Sequence, residues 1–239
     1  MADAIFEHPR LAAIYDELDP DRSDLDAYVA IADELGARRV LDLGCGTGTF
    51  ALLLVDRGLD VIGVDPAGAS LSVARAKPGA ERVRWIHGDA RALPALTADL
   101  ATMTGNVAQA IVDESDWDAT LDGIHGALRP GGSLVFETRD PAFEGWREWH
   151  DESHAVAEID RVGIVEHWGE LTEVSLPLVT FRWTFVFPDG EVLISDSTLR
   201  FRERDEVESA LIAHGYLVED VRGAPDRPGR EHVFLARRA

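Results

Sequence analysis

The residues best suited to chemistry lie between Val40 and Ala51, where an apolar run carrying Asp42 breaks into three alternating glycines, Gly44, Gly46 and Gly48. Glycine adopts positive φ freely and has no Cβ, so a ligand can lie directly on the peptide groups, while a following helix turns its free N–H groups toward a carboxylate or phosphate. Such a turn holds a nucleotide or a related cofactor. Twenty-one positions after Gly44, a second apolar run, Val61 to Val64, ends in Asp65-Pro66. In an open α/β sheet that position meets the ribose hydroxyls of an adenosine-containing ligand, and a carboxylate offers two acceptors to two adjacent hydroxyls.

NAD and S-adenosylmethionine both satisfy these features. The dinucleotide fingerprint spaces its glycines as G-x-G-x-x-G/A, whereas here the third glycine comes one residue early and Thr49 stands at the small packing position. Asp42 would repel a pyrophosphate but welcomes a sulfonium and an α-ammonium group. The balance lies with S-adenosylmethionine.

Val40 to Ala51 resembles the glycine-rich first motif of the class I S-adenosylmethionine-dependent methyltransferases, and Val61 to Pro66 the ribose-binding second. His87-Gly88-Asp89-Ala90 resembles the adenine-binding third, Asp99 to Gln109 the fourth, and Leu128 to Val135 the turn into the fifth strand. The resemblance implies that the backbone from Gly44 through Cys45 and Gly46 to Gly48 holds the methionine part of the cofactor. It further implies that Asp42 lies beside that part, that Asp65 accepts the ribose hydroxyls, and that Pro66 packs on the adenine. Asp89 would take the exocyclic amine and the Ala90 N–H a ring nitrogen, while Thr104 and Asn106 border both sulfur and substrate. Tyr15, in Ile14-Tyr15-Asp16, resembles a tyrosine that caps the methionine end in small-molecule members; as an aromatic at helical spacing it could equally be core. Thr104-Gly105-Asn106-Val107 is closer in form to the glycine N-methyltransferase-like enzymes than to the Asn/Asp-Pro-Pro-Tyr/Phe motif of DNA and protein-glutamine enzymes.

These residues must be carried by a particular arrangement of elements. Apolar residues at helical spacing over His8–Leu18 and Ser23–Leu35 predict two lead-in helices within residues 1–36. Strands at 39–43, 61–64, 83–86, 99–103 and 133–138 alternate with helices at 48–57, 68–76 and 116–128, which implies a parallel sheet wound on both faces. A helix over Glu203–His214 and strands at 216–222 and 231–236 complete the chain. The expected fold is therefore α/β: a Rossmann-like, doubly wound, seven-stranded sheet, mostly parallel with an antiparallel edge, in one domain spanning 1–239.

Residues 143–202 break this rhythm. Alternating runs at Val179–Phe187 and Val192–Leu199, joined by Pro188-Asp189-Gly190, predict an antiparallel β insertion. Trp146, Trp149, Trp168 and Trp183 fall in it, so it is the expected substrate side, with Asn106, Arg139, Trp146 and Trp183 as candidate acceptor contacts. Arg139 could bind a substrate carboxylate or pair with acidic neighbours. Positioning of the acceptor against the methyl group can supply most of the rate, so no catalytic residue is assigned. His150, His154 and His167 are the available bases should the acceptor be a hydroxyl. Glu137, Asp140 and the histidines show no compact metal-ligand pattern, and none is expected.

The 239 residues include 44 acidic and 23 basic ones, for a net charge of −21. That field opposes nucleic acids and anionic membranes. A single cysteine, no membrane-length apolar run and no leader-like N-terminus point to a cytoplasmic protein with no membrane partner, monomeric or homodimeric. The expected activity is methyl transfer from S-adenosylmethionine, leaving S-adenosylhomocysteine, to nitrogen or oxygen of a small molecule. The alternatives are a protein that binds these cofactors without chemistry and an NAD-dependent oxidoreductase.

Overall fold

A computed structural model describes residues 2–149 and 154–239 in full, together with the backbone of His150. Three helices, α1 (Ala4–Glu7), α2 (Pro9–Leu18) and α3 (Leu25–Glu34), lead into β1 (Arg39–Leu43). The alternation then runs α4 (Thr49–Asp56), β2 (Asp60–Asp65), α5 (Gly68–Ala76), β3 (Val83–His87), β4 (Ala98–Met103), α6 (Val107–Ala110), α7 (Glu114–Ala127) and β5 (Leu128–Arg139). An excursion of four strands follows, β6 (Ala155–Ile159), β7 (Gly163–Ser175), β8 (Leu178–Val186) and β9 (Val192–Arg200), before α8 (Arg204–Ala213), β10 (Tyr216–Gly223) and β11 (Glu231–Arg238).

The main sheet has the order β10-β11-β5-β4-β1-β2-β3. Strands β1 to β5 pair in parallel, with helices crossing the faces in every connection but β3 to β4, which holds only a three-residue turn at Ala90–Ala92. The antiparallel edge expected from the sequence is made by β10 and β11; the reversed strand, β11, pairs with β5 on one side and β10 on the other. Both faces are covered, so the central strands are apolar on both sides: Val40, Leu41, Val61, Ile62 and Val64 are all buried. One core joins Tyr28, Phe50 and Leu54 of α3 and α4 to Val40, Val135 and Val233. The other joins Trp117, Leu121 and Leu211 of α7 and α8 to Met103, Phe136 and Phe234. After β3 the chain crosses to the far side of β1, so the strand order reverses between β1 and β4. A crevice opens at the carboxyl ends of the strands at such a switch point.

The expected insertion is a separate antiparallel sheet, β6-β7-β8-β9. The turn read at 188–190 is present: Gly190, at φ 85°, donates its N–H to Phe187 O. Trp146, expected on the substrate side, is instead 3% exposed; its ring meets Phe201 edge-on at 4.6 Å beside Val179. It belongs to the insertion's own core. No helix among the described residues is long and apolar enough to cross a membrane.

Trp146→Ala should therefore cost about 3–5 kcal/mol of stability through the cavity it leaves. Urea titration checks this, and a loss under about 1 kcal/mol would take Trp146 out of the core.

Candidate active site

The glycine turn is built by three different demands. Gly44 and Cys45 both donate their N–H groups to Val64 O, at 2.8 and 3.1 Å, which ties the end of β1 to the end of β2. Gly44, Gly46 and Gly48 have φ of 72°, 53° and 80°. A Cβ at Gly44 would lie 2.3 Å from Val107, and one at Gly48 would lie 2.4 Å from Trp85. At Gly46 a Cβ would meet nothing within 4 Å, so this peptide faces open space. Cys45 is buried, and burial, with Asp42 and Asp65 nearby, pushes its thiol well up, the opposite of what a nucleophile requires.

Asp65 closes the turn. Its two oxygens accept the Gly46 and Ala67 N–H groups, each at 2.7 Å, so one carboxylate fixes two strand-to-helix turns. Burial raises its pKa, and the two hydrogen bonds oppose that rise. Pro66 is exposed, with its carbonyl 3.0 Å from His87 Nε2. Asp89 is less available than its motif implies. It caps a short turn by accepting the Arg91 N–H, and the Arg91 guanidinium holds its carboxyl below the usual range. Ala90 beside it is buried.

At the ends of the adjacent strands β1, β4 and β5, several buried acceptors lack donors. Asp42 is 1% exposed; Oδ1 accepts from Thr102 Oγ1 at 3.1 Å, and Oδ2 has no partner. Glu137 is 2% exposed; Oε1 accepts the Asn106 N–H at 2.5 Å, and the Tyr28 hydroxyl lies against the carboxylate as a second donor. Asn106, left-handed at φ 63°, also leaves its Oδ1 buried and unpartnered. Burial pushes both carboxyls up to about 7, with repulsion from Asp65 and then Glu137 adding to the rise at Asp42 and from Glu231 at Glu137. Buried acceptors without donors are costly, so these atoms fit a ligand that brings several N–H groups, such as an ammonium. Glu137 carried no role in the sequence reading, although a carboxylate closing the apolar run Leu134–Phe136 was a visible signal. Tyr28 of α3 lies beside Glu137, and burial and that carboxylate raise its hydroxyl's pKa.

The lead-in helices lie over the turn. Asp16 accepts from Thr47 Oγ1 at 2.6 Å and pairs with Lys77 Nζ at 2.6 Å, which ties α2 to the glycine motif, while Tyr15 beside it packs on Phe6. The same segment meets the insertion: Ile5 N–H donates to Ser195 Oγ, and Arg10 pairs with Asp189 and Glu191. Trp183 is half-buried on the inner face of the insertion beside His167, whose pKa burial lowers. His154 instead stacks on Trp168 at 4.2 Å. The side chain of His150 lies outside the described residues. Thr104 is partly exposed just after β4. Arg139 ends β5 and donates to Gln109 Oε1, at 3.2 Å from its backbone and 3.3 Å from Nη1.

Residues 40–132 match a family model described as a methyltransferase domain. Over 119 residues the chain is 36% identical to the cypemycin N-terminal methyltransferase of a Streptomyces species, covering 49% of each protein. The chain spans about half the length of the curated relatives it matches. In fold it is similar to an S-adenosylmethionine-dependent methyltransferase from Clostridium acetobutylicum, with a TM-score of 0.77 at 20% identity over 96% of this chain and 98% of that one. It also resembles the S-adenosylmethionine-bound structure of CalS10, an amino pentose methyltransferase from Micromonospora echinaspora, with a TM-score of 0.69 at 24% identity over 92% and 93%. The motif stretch thus matches a methyltransferase domain model in sequence, and the chain shares the fold of these methyltransferase structures.

The three glycines should respond differently to alanine. Gly44→Ala must displace Val107 and so should lower stability by several kcal/mol, whereas Gly46→Ala carries only the cost of its positive φ, about 1–2 kcal/mol. Thermal unfolding of both variants checks the order; equal losses would contradict the geometry.

Proposed function

We propose that this chain binds S-adenosylmethionine in the crevice above β1, β2 and β4 and transfers its methyl group to nitrogen or oxygen of a small molecule. The observation that carries the reading is the pairing of open space at Gly46 with the unpartnered acceptors Asp42 Oδ2 and Asn106 Oδ1. A peptide surface without a side chain suits a methionine chain, and acceptors without donors suit its α-ammonium group. In this reading Gly44 to Gly48 hold the methionine part, Asp65 and Pro66 meet ribose and adenine, and Ala90 and Asp89 meet the adenine edge. For Asp89 this requires Arg91 to release an oxygen. Tyr15 covers the methionine end.

The bound group would supply a methyl on a sulfonium, which leaves as a thioether. The chain's part is to place the acceptor in line with it and to exclude water, and that positioning can supply most of the rate. Thr104 and Asn106 border the point of transfer, with Arg139 and Trp183 on the acceptor side. The names of the cypemycin and amino pentose relatives favour nitrogen as the acceptor atom. A neutral amine needs no base, whereas a hydroxyl would draw on His167.

An ammonium requires Asp42 ionised. Because its carboxyl is held at about 7, the charged form is lost as pH falls through that value. Affinity for S-adenosylhomocysteine should therefore fall about tenfold between pH 8 and pH 6, with Asp42→Asn binding more weakly and losing most of that slope. Calorimetric titration decides it, and a pH-independent affinity in the wild type would remove the ammonium assignment. Methyl transfer over panels of amines and phenols then separates enzyme from binder; tight binding with no turnover on any panel would favour the binder.

A further inference from the structure

Helix α7 carries two interior glycines, Gly123 and Gly126, although glycine weakens a helix interior relative to alanine. Only one of them is demanded by a neighbour. A Cβ at Gly126 would meet nothing within 4 Å, whereas one at Gly123 would lie 2.3 Å from the carbonyl oxygen of Ala90, 2.8 Å from its carbonyl carbon and 3.1 Å from its Cβ. The helix backbone is therefore seated directly on Ala90, the residue after Asp89 in the turn that follows β3. The helix is firmly held: Trp117, Leu121 and Ile124 are at most 1% exposed in the core with Phe136, and the Tyr216 hydroxyl donates to Leu121 O at 2.9 Å. The turn is the weaker partner, since the connection from β3 to β4 holds only Ala90–Ala92 as regular structure. A second contact joins α7 to it. Arg91, whose Nε donates to Asp89 Oδ2 at 3.1 Å, also donates from Nη1 to Asp116 Oδ1 at 2.7 Å.

We propose that α7 aims the turn that reads the adenine base, with Gly123 as a positioning residue that seats Ala90 and Asp116 as one that shares Arg91 with Asp89. This rests on the methyltransferase reading above, in which Asp89 takes the exocyclic amine of adenine and the Ala90 N–H a ring nitrogen. Those groups belong to consecutive residues, so one displacement of the turn misdirects both. With its carbonyl and Cβ pressed on α7, Ala90 has little freedom in the direction of its N–H. The pair reads a pattern of donors and acceptors. Adenine offers an acceptor at N1 and a donor at its amine, whereas hypoxanthine offers a donor at N1 and an acceptor at O6. An N–H facing a donor and a carboxylate facing an acceptor are left unpaired, which is the strong form of discrimination between ligands. Asp116 acts on the carboxylate. With Asp116 present the guanidinium of Arg91 is divided between two acids; without it the whole fork falls to Asp89, which then meets the amine less readily.

The test is calorimetric titration at pH 7.5 with S-adenosylhomocysteine and with S-inosylhomocysteine, its analogue bearing hypoxanthine, alongside thermal unfolding. The wild type should prefer the adenine compound by about tenfold or more. Gly123→Ala should shrink that preference by about threefold or more, chiefly by weakening S-adenosylhomocysteine. Gly126→Ala, the same change about one turn further along α7, should raise the melting temperature and keep the preference within about a factor of two. Asp116→Asn, at a side chain 51% exposed, should leave the fold intact and shrink the preference by about twofold or more. An unchanged preference in a folded Gly123→Ala, whatever its melting temperature, would overturn the proposal, because a merely structural glycine moves stability and not the ratio. An equal shift in Gly126→Ala would do the same. Should Gly123→Ala fail to fold, Asp116→Asn decides, and an unchanged preference there overturns the assignment. A wild type that binds neither compound sinks the methyltransferase reading itself, whereas one that binds both equally sinks only the adenine-reading turn.

Discussion

The crevice is organised around carboxylates that are buried before their hydrogen bonds are complete. Asp42 near the end of β1 has one oxygen engaged and one without a partner among the described residues, and Glu137 near the end of β5 meets only the Asn106 N–H and the Tyr28 hydroxyl. A carboxylate in such a place is tolerable only when protonated or when a ligand supplies donors. Asp65 is the third member and is spent differently, on the N–H groups of Gly46 and Ala67. The contrast divides the labour of the site: Asp65 stiffens the turn, while Asp42 holds acceptor capacity in reserve. In the proposed reading a ribose approaching Asp65 would meet a carboxylate already oriented by backbone, which lowers the cost of ordering it on binding.

The same atoms tie the crevice to the rest of the chain. Glu137 holds the left-handed Asn106, which opens α6. Arg202 donates to the carbonyls of Ala108 and Ile111 and Arg200 to that of Val112, so β9 grips the segment that follows Asn106. From the other side, α2 is fastened to the glycine motif through Asp16 and packs with Leu11 and Ile14 on Phe185 of β8. The insertion thus touches the crevice twice, once through β9 and once through the lead-in helices. It is not the detached wall that its separate sequence rhythm suggests.

Much of this was legible in the sequence, and the reasons are local. Strands β1, β2 and β4 are short apolar runs because both faces are covered, and the motif glycines mark positive φ. Legibility ended where tertiary contact decides. The four-residue α1 is too short for a periodic signal, and β7 passes through Glu166-His167-Trp168-Gly169-Glu170, where polar residues blur the alternation. β5 starts at Leu128 rather than 133 because Leu128 pairs with Ala98 before the register shifts. Asp89 read as an adenine contact because nothing in the sequence shows that Arg91 folds back onto it. The partnership of Glu137 with Asn106 joins residues 31 apart through the sheet order, which no local pattern encodes.

Whether the acceptor wall can vary independently of the cofactor floor follows from how these links are made. The grip of Arg200 and Arg202 falls on backbone carbonyls, so it fixes where α6 sits without specifying the side chains that face the pocket. The link through Asp16 likewise ends on Thr47 and Lys77, outside the turn's open face at Gly46. Trp183 packs against the Leu11–Ile14–Phe185 cluster and so shares the second fastening, whereas Arg139 meets α6 through the neutral Gln109. A substitution at Trp149, which packs on Phe181 and Phe201, leaves both links in place. Changes at Arg200, Arg202 or Asp16 would shift wall and floor together, since they act through backbone that both share.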